Sequence, residues 1–410
     1  MSRGGAEDGR EKAGAEEVRW RYEASDITVL DARETIRRRP GMYVGTTGRR
    51  GLHQMVFQVM GRAVDEVLAG RAGTVDVVLG PGGEVSVADD GPGVPVEVAE
   101  DGDGLETLLT RTAGRPQPPG RHCAVLERAG FGPFVANVLS SSLTAEVRRD
   151  GVRWVQEYER GGAIAPPTVV GPAAGTGTTL SFRPDPEIFP TTECSFAALA
   201  DSFRELAFLN RDLEISLTDA RSPGGQQSVR FRFPYGVQDF VVFLDSPHGH
   251  DDPDAPARTP LHPDVIAFAR EDPRMEGTAE VALRWCSSPD ERIRSFANSA
   301  PTRNGGAHLA GFRDGLALAV NAFARERRLL SAADPDLGVD RIGQGLTAVV
   351  SVKVDHPCFE DLAHGTLGNA EVRACVREAV REHVGRWAEE HADRAAAVVG
   401  RIVGVSGRAG

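Results

Sequence analysis

The sequence predicts an α/β protein, and three observations support this fold class. The first is a helix over residues 51–70, in which apolar side chains recur every three or four residues. The second is a β-hairpin over residues 74–95, where two alternating runs flank a glycine-rich turn. The third is a strand, a helix and a strand at 279–287, 308–330 and 346–354. This order predicts a crossover unit.

The composition is that of a globular protein with a net negative charge. The 410 residues are 40% hydrophobic and 26% charged, which suffices for two or three packed domains. The formal net charge is −12, so nucleic acid could be contacted only through a local basic patch. The 5 dispersed cysteines form no CxxC pair, which indicates a reducing compartment and no zinc site. With no secretory signal and no long apolar run, the sequence predicts a cytoplasmic protein without a membrane contact.

Changes in composition along the chain predict a tail and two domains. Residues 1–20 are rich in glycine, alanine and charge, and are predicted to be a disordered tail. A polar, turn-rich stretch around residues 219–230 predicts a domain boundary. The first domain is therefore expected to span residues 21–221 and the second residues 222–410. One last long helix is predicted over residues 370–404.

Three short features are typical of a binding pocket. Gln58, Arg62 and Asp65 form a polar stripe beside the buried face of the first helix, which fits a solvated helix edge or a set of side chains offered to a pocket. The hairpin ends in DDGPG at 89–93, a bend where a ligand can approach the backbone closely. A GxG at residues 130–132 precedes an apolar helix, and its bare N–H groups fit phosphate binding or a tight loop–helix entry.

Nine segments stand in a fixed order along the chain. They are RRRPGMYVG (37–45), GLHQMVFQVMGRAVDEVLAG (51–70), VADDGPGVPV (87–96), GFGPFVANVLS (130–140), TGTTLSFRPDPEIFPTTE (176–193), FRELAFLNRDLEISLTD (203–219), SFANSAPTRNGGAHLAGF (295–312), GLTAVVSVKVDHPCFE (345–360) and TLGNAEVR (366–373). Over residues 22–405 they resemble the N-terminal half of the DNA gyrase B family, which are type IIA topoisomerases. That resemblance implies a GHKL-type ATPase domain, an α/β sandwich of the Bergerat type, followed by a transducer domain of ribosomal-S5-like fold.

The family's cleavage domain is not expected in this chain. In the family a TOPRIM domain follows the transducer and holds the metal for DNA cleavage. The sequence contains no EGDSA-like stretch with a DxD pair after it. We therefore expect that any topoisomerase activity requires other chains.

The resemblance implies an adenine pocket, part of which this sequence retains. Asp89 matches the aspartate that accepts the adenine amino group, a role that suits a carboxylate because it is a pure acceptor. Gly93 matches the glycine against which the base packs, and Thr178 matches the threonine that assists Asp89. Gly130 and Gly132 match the end of the phosphate loop. We therefore expect ATP to bind at these five positions.

Four departures from the family fall on the catalytic positions. Gln58 replaces a glutamate that polarises the attacking water, and an amide cannot take the proton of that water. Arg62 replaces an asparagine that ligates magnesium, so a magnesium site is not expected. His364, with residues 362–363, replaces a Gln-Thr-Lys triplet whose lysine reaches the γ-phosphate. LERA at 126–129 replaces a glycine-rich lid. No residue is therefore assigned as catalytic or as a metal ligand.

Three functions fit these residues. One is a gyrase B-like protein that binds ATP or a related nucleotide with impaired or no hydrolysis, and another is an ATP-hydrolysing topoisomerase subunit that acts with other chains. The third is a decoy for aminocoumarin-type inhibitors, because Asp89 and Thr178 remain. Arg62 could neutralise phosphate in place of magnesium, or pair with Asp65 or Glu66 and close the pocket.

The resemblance also implies the partners. Residues 22–30 resemble the arm that exchanges between subunits, so a homodimer is expected, and gyrase-like subunits are the other expected partners. The long helix predicted over residues 308–330 carries four arginines, namely Arg313, Arg325, Arg327 and Arg328. They fit a duplex channel in a dimer or a solvated helix face, so the sequence leaves DNA contact open.

Overall fold

The architecture is known for most of the chain from a computed structural model. It describes residues 31–96, 104–111, 120–126, 131–222, 224–249, 258–361 and 364–404. The predicted tail and arm lie outside the described residues. The described chain forms an N-terminal unit (31–231) and a C-terminal unit (237–404), each with its own sheet and core.

The N-terminal unit packs helices against a mixed sheet. Its elements are α1 (Ala32–Arg38), α2 (Gly41–Val44), α3 (Arg49–Leu68), β1 (Thr74–Leu79), β2 (Val85–Asp89), α4 (Leu105–Thr110), α5 (Pro133–Val138), β3 (Ser140–Arg149), β4 (Val152–Glu159), β5 (Gly162–Ala163), β6 (Thr168–Pro172), β7 (Gly177–Pro184), α6 (Phe196–Leu209), β8 (Glu214–Asp219) and β9 (Gln227–Phe231). In the described residues the strand order is β5-β4-β3-β7-β2-β1-β8-β9, with β6 also paired to β4. Only β1 and β8 are parallel neighbours there.

The core of this unit confirms the predicted helix and hairpin. The apolar side chains of α3 that recur at helical spacing are almost completely buried, namely Leu52, Met55, Val56, Val59, Ala63 and Val67. They contact a sheet whose centre is the predicted hairpin, in which Val77 of β1 lies opposite Val87 of β2. Burial of this stripe removes apolar surface from water and fixes how α3 lies across the sheet.

The C-terminal unit is a second sheet packed against long helices. Its elements are α7 (Val237–Asp245), β10 (Ile266–Asp272), β11 (Gly277–Trp285), β12 (Arg292–Ala297), β13 (Ala300–Pro301), α8 (Ala307–Glu326), α9 (Val339–Ile342), β14 (Leu346–Val354), α10 (Ala370–Glu390) and α11 (Ala392–Gly404). The strand order is β10-β11-β14-β12-β13 in the described part of the chain. The core lies between this sheet and α8, α10 and α11.

Two sequence predictions in this unit need correction. The predicted crossover joined strands 279–287 and 346–354, but β11 and β14 are antiparallel neighbours. The crossover instead begins at β12, which is parallel to β14 and reaches it through α8. The single helix predicted over 370–404 is two helices, because His391 has φ −126 and ψ 49 and ends α10.

The two units are joined by an aromatic cluster. The ring of Phe208 in α6 stacks on Phe240 of α7 at 4.7 Å, and Phe240 packs on Phe296 of β12 at 5.9 Å. Strand β9 pairs with β8, so the first sheet extends past residue 221, where the sequence places the domain boundary. The chain passes from one unit to the other between Phe231 and Val237.

Two further features concern the chain as a whole. Among the helices in the described ranges, none combines the length and the apolar character that crossing a bilayer requires. None of the five cysteines forms a disulfide, and only Cys358 is exposed.

Candidate functional site

The candidate site lies where α3 crosses the end of β2. Asp89 is the last residue of β2, and the sheet register places Thr178 of β7 directly opposite it. Helix α3 packs on β2 and brings Arg62 to the same point. The structure therefore brings together three of the predicted site residues, each from a different element.

An ion pair between Arg62 and Asp89 occupies this point. The Nη2 group of Arg62 donates to Oδ2 of Asp89, and the N–H of Gly91 donates to Oδ1 at 3.0 Å. Glu66 is a weaker second partner, with its Oε1 at 3.9 Å from Nη1 of Arg62. The side chains of Arg62 and Asp89 are 6% and 1% exposed, so the pair is buried. Arg62 thus engages the residue expected to bind the base.

The two charges of this pair hold each other in place. Burial raises the pKa of the Asp89 carboxyl, and the Arg62 guanidinium opposes that rise. A buried charge without its partner is strongly unfavourable, so loss of either side chain would leave the other in an environment that disfavours its charge. Nε of Arg62 is buried without a hydrogen-bond partner among the described residues, so the pair is incompletely satisfied.

The contacts of Thr178 and Gly93 are to the protein itself. Oγ1 of Thr178 accepts from the Val94 N–H at 3.1 Å. Gly93 has a φ of +78, and a Cβ there would lie 2.7 Å from the carbonyl oxygen of Arg148. Its own carbonyl accepts from Nη1 of Arg149 at 2.7 Å. Glycine is therefore required at this position by the close approach of β3, whatever else binds there.

Gln58 is buried inside the N-terminal unit. It is 1% exposed, and its Nε2 donates to the carbonyl of Tyr43 at 3.3 Å. Its Oε1 has no hydrogen-bond partner in the described part of the chain. The amide thus lies on the inward side of α3. Its Oε1 can still accept a hydrogen bond, but the side chain has no ionisable group.

Asp65 holds a neighbouring segment, whereas the sequence also allowed a pair with Arg62. Its Oδ1 accepts from the N–H of Ala124 at 3.1 Å, so it fixes residues 120–126. The same segment is fastened to the C-terminal unit, because Nη2 of Arg121 contacts Oδ2 of Asp355 at 2.9 Å. Asp65 therefore helps to hold the segment that connects the two units.

The glycine loop is only partly described. Gly130 lies outside the described residues, as do residues 127–129. Gly132 has a φ of +60 and precedes α5 as its N-cap. Pro133 is the first residue of that helix and has no N–H, so the start of α5 offers one donor fewer than another residue would allow.

His364 lies in the loop between β14 and α10, and residues 362–363 are outside the described part. Its φ is +56, an uncommon conformation for a residue with a side chain. Its ring packs against Phe359, with the ring centroids 4.4 Å apart. The contact explains where the imidazole lies without giving it a phosphate-binding role.

Lysine, a common phosphate-binding residue, is rare in this chain, and a residue count of the sequence is enough to show it. The chain has two lysines, Lys12 and Lys353. Lys12 lies outside the described residues, and Lys353 is in β14, opposite Thr278. Burial lowers the pKa of Lys353. Within the described chain, phosphate could therefore be contacted by arginine but hardly by lysine.

The chemistry of Arg62 disfavours a magnesium ion beside it. The resemblance implies a metal-binding amide at the position of Arg62, whose guanidinium has no lone pair to offer and repels a cation. No cluster of three or more histidine, cysteine, aspartate or glutamate side chains in the described ranges could hold a metal. We therefore assign no metal-dependent step to these residues.

Comparison with known sequences gives the relatives of this chain. The family model described as DNA gyrase B matches residues 236–406. A novobiocin-resistant DNA gyrase B from Streptomyces niveus is 39% identical over 398 residues, which are 93% of this chain and 58% of that protein. The DNA gyrase B of Mycobacterium tuberculosis is 35% identical over 413 residues, with 93% and 59% covered. The chain thus spans somewhat over half the length of these relatives.

Solved structures show the same architecture. The 43K ATPase domain of Thermus thermophilus gyrase B, crystallised with an aminocoumarin, is 30% identical, with a TM-score of 0.76 over 92% of this chain and 95% of that one. The B subunit of the DNA gyrase from Myxococcus xanthus is 25% identical, with a TM-score of 0.74 over 91% and 99% of the two chains. The predicted α/β fold class is confirmed. By its sequence along most of its length, and by its fold, this chain belongs to the DNA gyrase B family.

Proposed function

We propose that this chain is a gyrase B-type ATPase-and-transducer module that binds ATP or a related nucleotide and hydrolyses it poorly or not at all. The observation that supports this most strongly is Gln58, which is buried and which the resemblance matches to the family's water-polarising glutamate. An amide orients water but does not take its proton, and loss of a general base costs about 10² to 10⁴ in rate.

The carboxylates further along α3 are engaged by other parts of the chain. Asp65 accepts a backbone N–H from Ala124. Glu66 accepts from Nε of Arg71 at 2.6 Å. The helix thus keeps its acids without placing one where Gln58 stands.

Two further changes at positions that the resemblance assigns to the ATPase site also favour weaker hydrolysis. The resemblance implies a metal ligand at the position of Arg62. It also implies, at the position of His364, the lysine that reaches the γ-phosphate in the family, and His364 packs on Phe359. Positioned charges on the transferring phosphate supply most of the rate enhancement in phosphoryl transfer. Their joint loss supports weak or absent turnover more strongly than any single change does.

The proposal includes association with other chains. The relatives are gyrase B proteins, and the arm expected to exchange between subunits, residues 22–30, lies outside the described residues. We infer a homodimer through that arm, and gyrase-like subunits as further partners. Sedimentation of the full chain, compared with a chain lacking residues 1–30, tests the first of these.

Phosphate release from ATP in the presence of magnesium tests the proposal. The full chain, its Asp89→Ala variant and its Gln58→Glu variant are compared, with the Streptomyces niveus relative as a positive control. We expect the full chain to release phosphate no faster than Asp89→Ala. We also expect Gln58→Glu alone not to restore activity, since the metal ligand and the lysine for the γ-phosphate are still absent.

One outcome contradicts the proposal. Steady turnover by the full chain that disappears in Asp89→Ala would assign hydrolysis to this pocket. The chain would then be an active ATP-hydrolysing topoisomerase subunit that acts with other chains on DNA.

A further inference from the structure

We propose that Arg62 is the residue that closes the base-binding end of the pocket from within, so that an adenine ring enters only after Arg62 leaves Asp89. This inference rests on the proposed nucleotide site, because it takes Asp89 as the acceptor for the base. It goes beyond that site by assigning a competitor for the base within the protein itself.

The occupied atoms of Asp89 are the first support. One oxygen accepts the Gly91 N–H and the other accepts Nη2 of Arg62. The residue is 3% exposed, so the guanidinium and the local backbone cover the carboxylate. An amino group of a planar base needs the same oxygen and the same space that the planar guanidinium takes.

The orientation of Arg62 is the second support. Its Nη2 is hydrogen-bonded at the end of β2, beside Thr178 in the neighbouring strand. In this arrangement the side chain covers the Asp89 oxygen that the base would use.

A second acceptor makes the closed arrangement reversible. Glu66 is one helical turn beyond Arg62, and its Oε1 is 3.9 Å from Nη1. The guanidinium can exchange Asp89 for this carboxylate by a change of side-chain conformation, without moving α3. Since Nε of Arg62 has no partner within the described chain in the closed arrangement, that state does not use every donor of the side chain. The pocket is thus a two-state element, closed on Asp89 and open on Glu66.

The consequence for binding is a reduced apparent affinity. A ligand that requires the open state binds less tightly by the fraction of molecules that are open. A change that removes the guanidinium removes this reduction. The expected increase in affinity is diagnostic, because replacing a positively charged residue in a nucleotide site ordinarily weakens the binding of an anionic nucleotide.

Calorimetric titration with ADP in EDTA tests the inference on the full chain. Arg62→Asn should bind ADP at least about tenfold more tightly than the unchanged chain. Arg62→Asn combined with Asp89→Asn should lose that gain. Arg62→Met, which keeps the apolar stem and the volume, is the second variant should Arg62→Asn not fold, as judged by thermal melting. Glu66→Gln in the unchanged background should weaken binding, and it should have no effect when combined with Arg62→Asn.

Two results overturn it. Tight ADP binding by the unchanged chain that depends on Asp89 shows that the base reaches the carboxylate with Arg62 present. Equal or absent binding in the folded Arg62→Asn and Arg62→Met variants shows that Arg62 is not the obstacle. ADP binding requires no hydrolysis, so these results are independent of phosphate release, which tests the proposed loss of hydrolysis.

Discussion

Single residues of α3 show how a polar stripe can lie inside a protein. Gln58, Arg62 and Asp65 are 1%, 6% and 6% exposed. The stripe is therefore not the solvated edge that its pattern also allowed. Each of the three groups has partners from another part of the chain, since buried polar groups without hydrogen bonds are costly.

Among single residues, His308 is also expected to make stability depend on pH. It is fully buried at the start of α8, and burial lowers its pKa from 6.5 to about 4. Below pH 6.5 the unfolded chain takes up a proton that the folded chain binds only near pH 4. The free energy of unfolding should therefore fall between these two values as the pH is lowered, by up to about 3 kcal/mol from this residue.

Urea unfolding between about pH 4.5 and 7.5 measures this effect. His308→Gln removes the titrating group but keeps a polar side chain near Thr302, whose hydroxyl contacts Nε2 at 3.0 Å. The variant should show a flatter dependence of stability on pH across this window. His248→Gln, a matched change at an exposed histidine, is the control. Parallel curves for His308→Gln and the unchanged chain would show that the proton uptake occurs elsewhere.

Between secondary-structure elements, two glycines determine how closely α8 and α10 pack. A Cβ at Gly315 would lie 2.5 Å from the carbonyl oxygen of Arg377, and a Cβ at Gly311 would meet the backbone of Arg373. The two helices therefore approach each other closely, with no room for a methyl group. Their contact forms much of the core of the C-terminal unit.

Alanine at Gly315 should push the two helices apart. We expect Gly315→Ala to destabilise the protein by about 1–3 kcal/mol, as overpacking does. Gly385 lies in α10, and a Cβ there would meet no neighbouring atom within 4 Å, so Gly385→Ala is the matched control. That change should stabilise the protein by about 0.5–1 kcal/mol through helix propensity. Thermal unfolding measures both variants, and a shift of the same sign in both would contradict this account of the packing.

For the whole molecule, three of the four arginines that could face DNA make contacts inside the chain. Arg313 contacts Glu291 at 3.1 Å, and Arg325 contacts Asp336 at 2.6 Å. The guanidinium of Arg327 lies over the ring of Phe323, 5.5 Å from its centre. With a net charge of −12, the molecule has no overall positive electrostatic potential to attract a DNA duplex.

The chain alone should therefore bind duplex DNA only weakly. We expect a dissociation constant above about 10⁻⁴ M at physiological salt, the weak end of non-specific binding. Fluorescence anisotropy of a labelled duplex measures it. Micromolar binding that weakens with salt and disappears in Arg313→Glu would instead place DNA on this helix.

How much can be predicted from the sequence depends on whether the signal is local. The buried stripe of α3 and the β1–β2 hairpin are periodic patterns within one segment, and both were predicted within a few residues. The crossover was assigned to the wrong first strand, because β12 is short and pairs with β14 across a long separation in sequence. The break at His391 was missed, because the apolar positions continue beyond it in α11.

The amino-acid sequence is enough to name the chemical groups at the pocket: an amide at Gln58, a guanidinium at Arg62 and a carboxylate at Asp89. Family and fold class could also be read from the order of its motifs. Which of these groups meet became visible only in the folded chain. Helix spacing limits a sequence-based choice of partner for Arg62 to its neighbours along α3, whereas the packing of α3 on the sheet brings Asp89, 27 positions further along the chain, within reach of the guanidinium.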